Sequence, residues 1–119
     1  MRAEKLDVWK DSCALSVEVY MYFASSKDFG FKDQITRCSL SIPSNIAEGF
    51  EKDSDKEKIR YIEISRGSSA ELITQIYIGI KIDYIDKETG LTWVKKLDTI
   101  QRMLTQLKKS YKTRIQNDQ

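Results

Sequence analysis

Histidine does not occur in this sequence of 119 residues. Without imidazole, the chain cannot form a Ser-His-Asp or Cys-His relay, a zinc site with histidine ligands or a histidine pH switch. Two cysteines are present, Cys13 and Cys38, which are too far apart for a Cys-x-x-Cys motif and too few for a disulfide framework. We therefore expect a cytoplasmic protein with no metal, no cofactor and none of the commonest catalytic designs.

Glycine, proline and long apolar runs are also scarce. Five glycines and one proline make up about 5% of the residues, against about 12% on average, so the chain should form a few long elements. No uncharged run approaches the roughly 18 residues of a membrane span, and the first residues are charged, unlike a signal peptide. The length fits one domain covering residues 1–119, and no membrane contact is expected.

Charge is nearly balanced overall but is unevenly distributed along the chain. Twenty basic and 18 acidic residues give a net charge of +2. Residues 87–119 hold eight basic and three acidic residues, a local net charge of +5, whereas each of the segments 1–31, 32–53 and 54–86 sums to −1. The basic excess therefore lies at the C-terminal end of the chain.

Apolar residues recur at helical spacing in four successive segments. The first has Asp7 as its expected N-cap and ends at the turn formers of residues 25–30. The second extends over residues 31–49. The third begins at a capping box headed by Ser54, and the fourth follows a break at residues 86–90. Together these segments predict four helices.

Two stretches depart from a simple helical pattern. Pro43 lies inside the second segment, where a proline removes a backbone donor and costs about 3 kcal/mol, so we expect a kink or a restart there. Residues 76–85 alternate like a β-strand. We interpret them as helix, because no breaker precedes them and no second strand is available for pairing.

The fourth segment has the clearest apolar stripe of the chain. Its members follow a near-heptad spacing: Leu91, Val94, Leu97, Ile100, Leu104, Leu107 and Tyr111. Trp93 and Met103 lie off this stripe, which suggests a second contact surface. Residues 112–119 are polar, and we expect them to form a frayed tail.

These segments predict an all-α fold, an antiparallel up-down-up-down four-helix bundle. The first and third helices carry more apolar residues than one buried stripe requires, and the chain has six tyrosines and two tryptophans. Self-association is the natural use of a second apolar face. We therefore expect a homo-oligomer.

A polar row accompanies the apolar stripe of the second helix. Arg37, Ser41, Asn45 and Glu48 follow one another at steps of four, four and three residues, so they share a helix face. Residues of the third helix could face them and close an inter-helix hydrogen-bond network: Arg66, Ser68, Glu71 and Gln75. We expect this network to fix helix register rather than to act in catalysis, because carboxylates beside arginines commonly neutralise one another.

Three other residues have a structural and a functional interpretation. Cys38 lacks a histidine to activate it, so a small buried apolar role is favoured over a nucleophile. Gly67 and Gly79 fit no phosphate-loop motif, so close packing is the favoured role for both. Glu48 and Glu71 are the one candidate pair for acid-base chemistry or a hard cation.

One motif resembles a known family. The run Asp33-Gln34-Ile35-x-Arg37, then Ser41-Ile42-Pro43-Ser44-Asn45-Ile46-Ala47-Glu48-Gly49-Phe50, is followed by Gly67-Ser68-x-x-Glu71-Leu72. It resembles the four-helix-bundle family encoded in intervening sequences of bacterial 23S ribosomal RNA genes, and the opening Leu6-Asp7-Val8-Trp9 resembles the start of that family. The accessory proteins of diversity-generating retroelements are similar to the same family.

This resemblance implies a four-helix subunit in a ring-like homopentamer that contacts nucleic acid through a basic surface, and it implies no enzymatic activity. The motif residues of the polar network are then expected to be structural: Arg37, Ser41, Asn45, Glu48, Gly49, Gly67, Ser68 and Glu71.

Three functions compete on this basis. The first is an oligomeric protein that contacts RNA or DNA phosphates through the C-terminal basic residues: Lys95, Lys96, Arg102, Lys108, Lys109, Lys112 and Arg114. The same lysines and arginines could simply solvate the outer face of a helix. The second is a scaffold that binds a protein partner through its second apolar faces. An enzyme is the least favoured, because acid-base groups are so poorly represented.

Overall fold

Four α-helices account for most of residues 6–118, the part of the chain that the computed structural model describes. They are α1 (Asp7–Tyr22), α2 (Phe29–Phe50), α3 (Asp55–Lys81) and α4 (Lys87–Asn117). Residues 6–118 contain no β-strand. The strand-like stretch at residues 76–85 is helical as far as Lys81, and its last residues form the turn that precedes α4. A helix rather than a strand was expected here, because no partner strand was available.

The helices form a four-cornered bundle. Each helix packs against its neighbour in the chain, and α1 also packs against α4, while the diagonal pairs α1 with α3 and α2 with α4 do not meet closely. Short connections reverse the chain between consecutive helices, so neighbours are antiparallel, and the molecule measures 52 × 21 × 20 Å. The predicted all-α four-helix bundle is confirmed.

Each helix contributes one apolar stripe to a single core. Val19, Ile35, Leu72, Leu97 and Leu104 are completely buried, so all four helices meet along the bundle axis. Burying a side chain of this kind contributes about 1.5–3 kcal/mol, so the stripes supply the main force for bundle formation.

Trp93 corrects the predicted stripe of α4. Its side chain is only 2% exposed and meets the ring of Tyr22 edge-on at 5.2 Å, whereas Leu91 is exposed. Trp93 precedes Leu97 by four residues and Ile100 by seven, so these three side chains share one helix face. The expectation that Trp93 serves a second surface was therefore wrong.

Side chains cap three of the four helices. Asp28 accepts the Phe31 amide, Ser54 accepts the Glu57 amide and Asp86 accepts the Thr89 amide, each at 3.1 Å. The capping role predicted for Ser54 is confirmed. The one predicted for Asp7 was wrong, since Leu6 occupies the N-cap of α1 and provides no side-chain hydrogen bond.

Pro43 lies within α2 without ending the helix, which runs on to Phe50. Its ring is buried, and the core residues Ile42 and Ile46 flank it on either side. Ser39 lies one turn earlier, donates to the Thr36 carbonyl at 2.7 Å and pairs with Ser16 of α1 at 2.9 Å. Burial of the flanking residues offsets the local cost of the proline, so no restart occurs.

The C-terminal end of α4 is longer than the sequence predicted. Residues 112–117 are helical, where a frayed tail from Lys112 was expected. Tyr111 is buried against the bundle, and Arg114 forms an ion pair with Asp55 of α3 at 3.4 Å. These contacts attach the last turns of α4 to the start of α3. Gln119 lies outside the described residues.

Candidate nucleic-acid interface and polar row

The polar row of α2 is only partly joined to α3. Ser41 and Ser68 meet through their hydroxyls at 2.9 Å, and Asn45 donates to the carbonyl and the hydroxyl of Ser41 at 2.8 and 3.0 Å. Ser65 also donates to the Ile42 carbonyl, the Cys38 thiol donates to the Ser68 carbonyl, and Lys58 of α3 donates to the Phe50 carbonyl at the end of α2. Along the middle of the row, small hydroxyl and thiol groups therefore link the two helices.

The charged members of the row contribute one long hydrogen bond between the helices, from Tyr61 of α3 to Glu48. The side chain of Arg37 is 77% exposed and pairs with Asp33 on its own helix at 2.8 Å. Glu48 meets only the Tyr61 hydroxyl, at 3.5 Å, and Glu71 meets only Gln75, also at 3.5 Å. The predicted closed network of arginines and carboxylates is wrong, because long charged side chains at these positions reach solvent at no desolvation cost.

Arg66 belongs to another interface. It pairs with Glu63 at 2.7 Å, its carbonyl accepts from Gln101 of α4, and Lys108 of α4 also reaches Glu63 at 3.1 Å. Hydrogen bonding from Arg66, followed by that from Lys108, lowers the pKa of Glu63. Arg66 thus faces α4 rather than α2, since it lies two residues before Ser68 and points to the other side of α3.

Gly49 and Gly67 of the motif, and Gly79 after it, have different surroundings. A Cβ atom at Gly49 would come within 2.6 Å of the Tyr61 Cβ, and one at Gly79 would come within 2.5 Å of the Ile85 side chain. A Cβ atom at Gly67 would meet no neighbouring helix within 4 Å. Close packing is therefore confirmed for Gly79 and present at Gly49, whereas the close-packing role predicted for Gly67 was wrong.

Both thiols are held in the neutral form. Burial raises the pKa of Cys38 to about 12, with a smaller contribution from the negative charge of Glu71, and burial also raises the pKa of Cys13. A thiol of this kind is a weak nucleophile near neutral pH. Residues 6–118 contain no cluster of three metal-binding side chains, and no helix among them is long and apolar enough to cross a membrane.

The seven candidate cations of α4 fall into two groups. Three form ion pairs with neighbouring helices: Lys96 with Glu18 at 2.7 Å, Lys108 with Glu63, and Arg114 with Asp55. The other four form no ion pair with the described carboxylates: Lys95, Arg102, Lys109 and Lys112. Only the second group has its full charge available to a ligand.

Three of these cations form what we call the outer row of α4: Lys95, Arg102 and Lys109, all exposed. They are spaced by seven residues, as are the buried Leu97, Leu104 and Tyr111. Each cation of the outer row lies two residues before one of these buried side chains. Two residues correspond to a rotation of about 200° around a helix with 3.6 residues per turn. The outer row is therefore on the side of α4 opposite the core, and its heptad spacing was readable from the sequence.

Exposed apolar side chains are concentrated away from α4. Val17, Tyr20, Met21 and Tyr22 lie on α1, Phe29 and Leu40 on α2, Ile64, Tyr77 and Ile78 on α3, and only Leu91 on α4. An open groove of about 800 Å³ lies along α2, with Tyr20, Phe29 and Leu40 in its lining. The sequence predicted an excess of apolar residues on the first and third helices. The exposed apolar residues of α2 were not predicted, because Phe29 and Leu40 lie off its core stripe.

Comparison with known proteins agrees with the bundle and the motif. The family model described as 23S rRNA-intervening sequence protein matches residues 4–106. The chain belongs to this family. The match spans α1, α2 and α3 and most of α4, including Lys95 and Arg102 of the outer row.

A solved structure shares the fold of this family member. It is described as a protein with unknown function from the S23 ribosomal protein family of Bacteroides thetaiotaomicron VPI-5482. The TM-score is 0.80 at 24% sequence identity, over 86% of this chain and 98% of the other. No curated protein matches the chain significantly. The likeness to retroelement accessory proteins stays a prediction from the motif.

Proposed function

We propose that this family member is a non-enzymatic, oligomeric helical-bundle protein that associates with RNA or DNA through α4. The observation that carries the proposal is the separation of two surfaces. Three cations without an ion pair to the described carboxylates, Lys95, Arg102 and Lys109, line the outer side of α4. Among the large exposed apolar side chains, only Leu91 lies on that helix. Family membership supports a connection with ribosomal RNA genes, since the family is named for their intervening sequences.

The cations of α4 support contact with phosphate. Lys95, Arg102, Lys109 and Lys112 are exposed and have no ion pair with a described carboxylate. Lysine and arginine that contact phosphates release counterions from the nucleic acid, so the affinity falls as salt rises. In an oligomer these residues would be repeated on every subunit, which compensates for the small net charge of +2 per chain.

The test is a binding titration with structured RNA and with duplex DNA at about 50 mM and about 200 mM salt. We expect binding at low salt that weakens steeply at the higher concentration. Absence of binding to either nucleic acid at low salt would contradict the proposal.

Self-association is supported by the apolar surface of α1 and α2. Met21 of α1 is 73% exposed, and Leu40 of α2 is 48% exposed and lines the groove together with Tyr20 and Phe29. Large exposed apolar patches on soluble proteins commonly mark contact surfaces. We propose that copies of this chain meet here, in the ring-like homopentamer that the motif implied.

Light scattering tests this contact. Wild-type protein should have several times the chain mass of 13.8 kDa. The double variant Met21→Glu, Leu40→Glu should have a lower mass, because two carboxylates would be buried unpaired in the contact. Leu91→Glu adds one carboxylate to the exposed surface of α4, is the control away from the contact, and should keep the wild-type mass. A monomeric wild type, or the same mass change for both variants, would contradict the contact.

The groove along α2, which Tyr20, Phe29 and Leu40 line together with charged side chains, also supports a second function, a scaffold for a different protein. A monomeric or dimeric wild-type protein that co-purifies with one polypeptide and with no nucleic acid would favour this scaffold. The non-enzymatic part of the proposal rests on three observations: histidine is absent, Cys38 is buried with a raised pKa, and the carboxylates of Glu48 and Glu71 bond to two different side chains, Tyr61 and Gln75.

A further inference from the structure

The outer row of α4 has a geometry suited to one form of nucleic acid. Lys95, Arg102 and Lys109 are each separated by seven residues, which is about 10 Å along an α-helix with 1.5 Å rise per residue. The row thus extends for about 21 Å along one continuous helix, and the packing of α4 on α1 and α3 holds it in place.

The outer row has no platform for stacking bases. The aromatic residues of α4 are Trp93 and Tyr111, which are 2% and 5% exposed and point into the core. Proteins that hold single strands stack successive bases on exposed aromatic rings, which contributes about 1–3 kcal/mol per base. On α4 this contribution is missing.

The outer row also stands outside the grooves that border α4. The α1–α4 groove is lined by Lys96, and the cavity at the Tyr111 end is lined by Lys58 and Arg114. Single strands are usually held in a basic groove that follows their flexible backbone. Exposed cations along the outer side of one helix instead fit a ligand that is itself stiff and densely charged.

We propose that the outer row of α4 binds the phosphate backbone of double-stranded nucleic acid, without reading its bases and in preference to single strands. This inference rests on the proposed nucleic-acid function and specifies its ligand. A duplex carries one negative charge per about 1.7 Å of axis, whereas one strand of it carries one per about 3.4 Å. The electrostatic attraction on three cations held along one helix is therefore stronger beside a duplex than beside a single strand.

Asp98 gives an independent way to test the outer row. It lies three residues after Lys95 and four before Arg102, and none of the ion pairs among the described residues involves it. Its negative charge opposes phosphate at the middle of the row. Removing this charge should strengthen binding to a duplex without removing any contact.

The experiment measures the affinity for labelled RNA duplex, DNA duplex and unstructured single-stranded RNA of equal length at two salt concentrations. Three phosphate contacts give a slope of log affinity against log salt of about −2.7 on a duplex, a loss of about fortyfold between 50 and 200 mM salt for each engaged subunit. We expect both duplexes to bind, independently of sequence, and more tightly than the single strand.

Three variants complete the design. The triple variant Lys95→Gln, Arg102→Gln, Lys109→Gln should weaken duplex binding about tenfold or more at low salt and reduce the salt slope by roughly one for each cation. The matched control removes the same charge elsewhere: Lys27→Gln, Lys56→Gln, Lys81→Gln. Asp98→Asn should tighten duplex binding. Circular dichroism checks that each variant is folded. If the triple variant is unfolded, the duplex affinity of Asp98→Asn alone tests the outer row.

The outcomes separate the two proposals. Absence of binding to all three nucleic acids would overturn the nucleic-acid function itself. Three results would overturn the duplex inference alone: a single strand bound as tightly as a duplex, only one duplex form bound, or equal losses for the triple variant and its control.

Discussion

Gly49 shows how one residue of the motif acts at atomic scale. A side chain there would collide with Tyr61, because α2 and α3 approach closely at this end of the bundle. Gly67 is also in the motif but borders open space. Both glycines belong to the sequence motif, but the sequence could not show which of them is closely packed. That difference depends on which face of each helix meets its neighbour.

Replacing these two glycines with alanine should have opposite effects. Gly49→Ala should lower the free energy of unfolding by about 1–3 kcal/mol, because it overpacks a tight contact. Gly67→Ala should raise it by up to about 1 kcal/mol, because alanine favours an exposed helix interior. Urea unfolding at fixed protein concentration measures both. Equal shifts for the two variants would show that the α2–α3 packing is wrong.

Asn45 and Glu71 also belong to the motif, but only Asn45 is linked to the neighbouring helix. It donates to Ser41, and the Ser41 hydroxyl meets Ser68 of α3. Asn45→Ala should cost about 1 kcal/mol, because two hydrogen bonds to Ser41 are lost. Glu71→Ala should change stability by less than about 0.5 kcal/mol, since its side chain is exposed. Thermal unfolding of the two variants measures this difference, and a larger loss for Glu71→Ala would contradict it.

At the scale of elements, the capping residues connect the loops to the helices. Asp28 caps α2 and also accepts the Tyr84 hydroxyl at 2.7 Å, while the Tyr22 hydroxyl accepts the Asp86 amide at 2.8 Å. The loop between α1 and α2 is thereby tied to the loop between α3 and α4. The sequence predicted the turns. These two contacts join residues that are separated by 56 and by 64 positions along the chain, so they follow only from the folded bundle.

Asp28 should make stability depend on pH. The Phe31 amide, and next the Tyr84 hydroxyl, lower the pKa of this carboxyl. Its stabilising contribution is therefore present above the ordinary pKa of about 3.9 and is lost as the pH falls through the lower folded value. The melting temperature of wild type should exceed that of Asp28→Asn at pH 7, and the difference should shrink in acid. A difference that stays constant to about pH 2 would contradict this account.

The length of the helices was predictable to within a turn at most ends, because turn formers and apolar spacing mark them. The end of α4 was not. Its last turns are polar in sequence and are held by the Arg114–Asp55 pair and by buried Tyr111, which are contacts with α3 and the bundle core. The helical interpretation of residues 76–85 is confirmed as far as Lys81, because no strand partner occurs in residues 6–118, and was wrong for residues 82–85, which form the turn before α4.

At the scale of the whole molecule, the bundle separates two kinds of surface. Net charge alone gave no reason to expect nucleic-acid contact, and periodicity alone could not show which cations are already paired. The folded bundle distinguishes Lys96, Lys108 and Arg114, which bind carboxylates of α1 and α3, from the outer row that faces solvent. Apolar contact between copies and ionic contact with phosphate should therefore respond differently to salt.

Sedimentation velocity of the protein mixed with a labelled duplex, at low and at high salt, tests the separation of surfaces most directly. Salt screens the phosphate contacts and leaves apolar burial intact. We predict that the duplex sediments with the protein at low salt, and that at high salt it is released while the protein keeps a mass of several 13.8 kDa chains. A protein that is monomeric at both salt concentrations, or that loses the duplex and its own assembly together, would contradict the account.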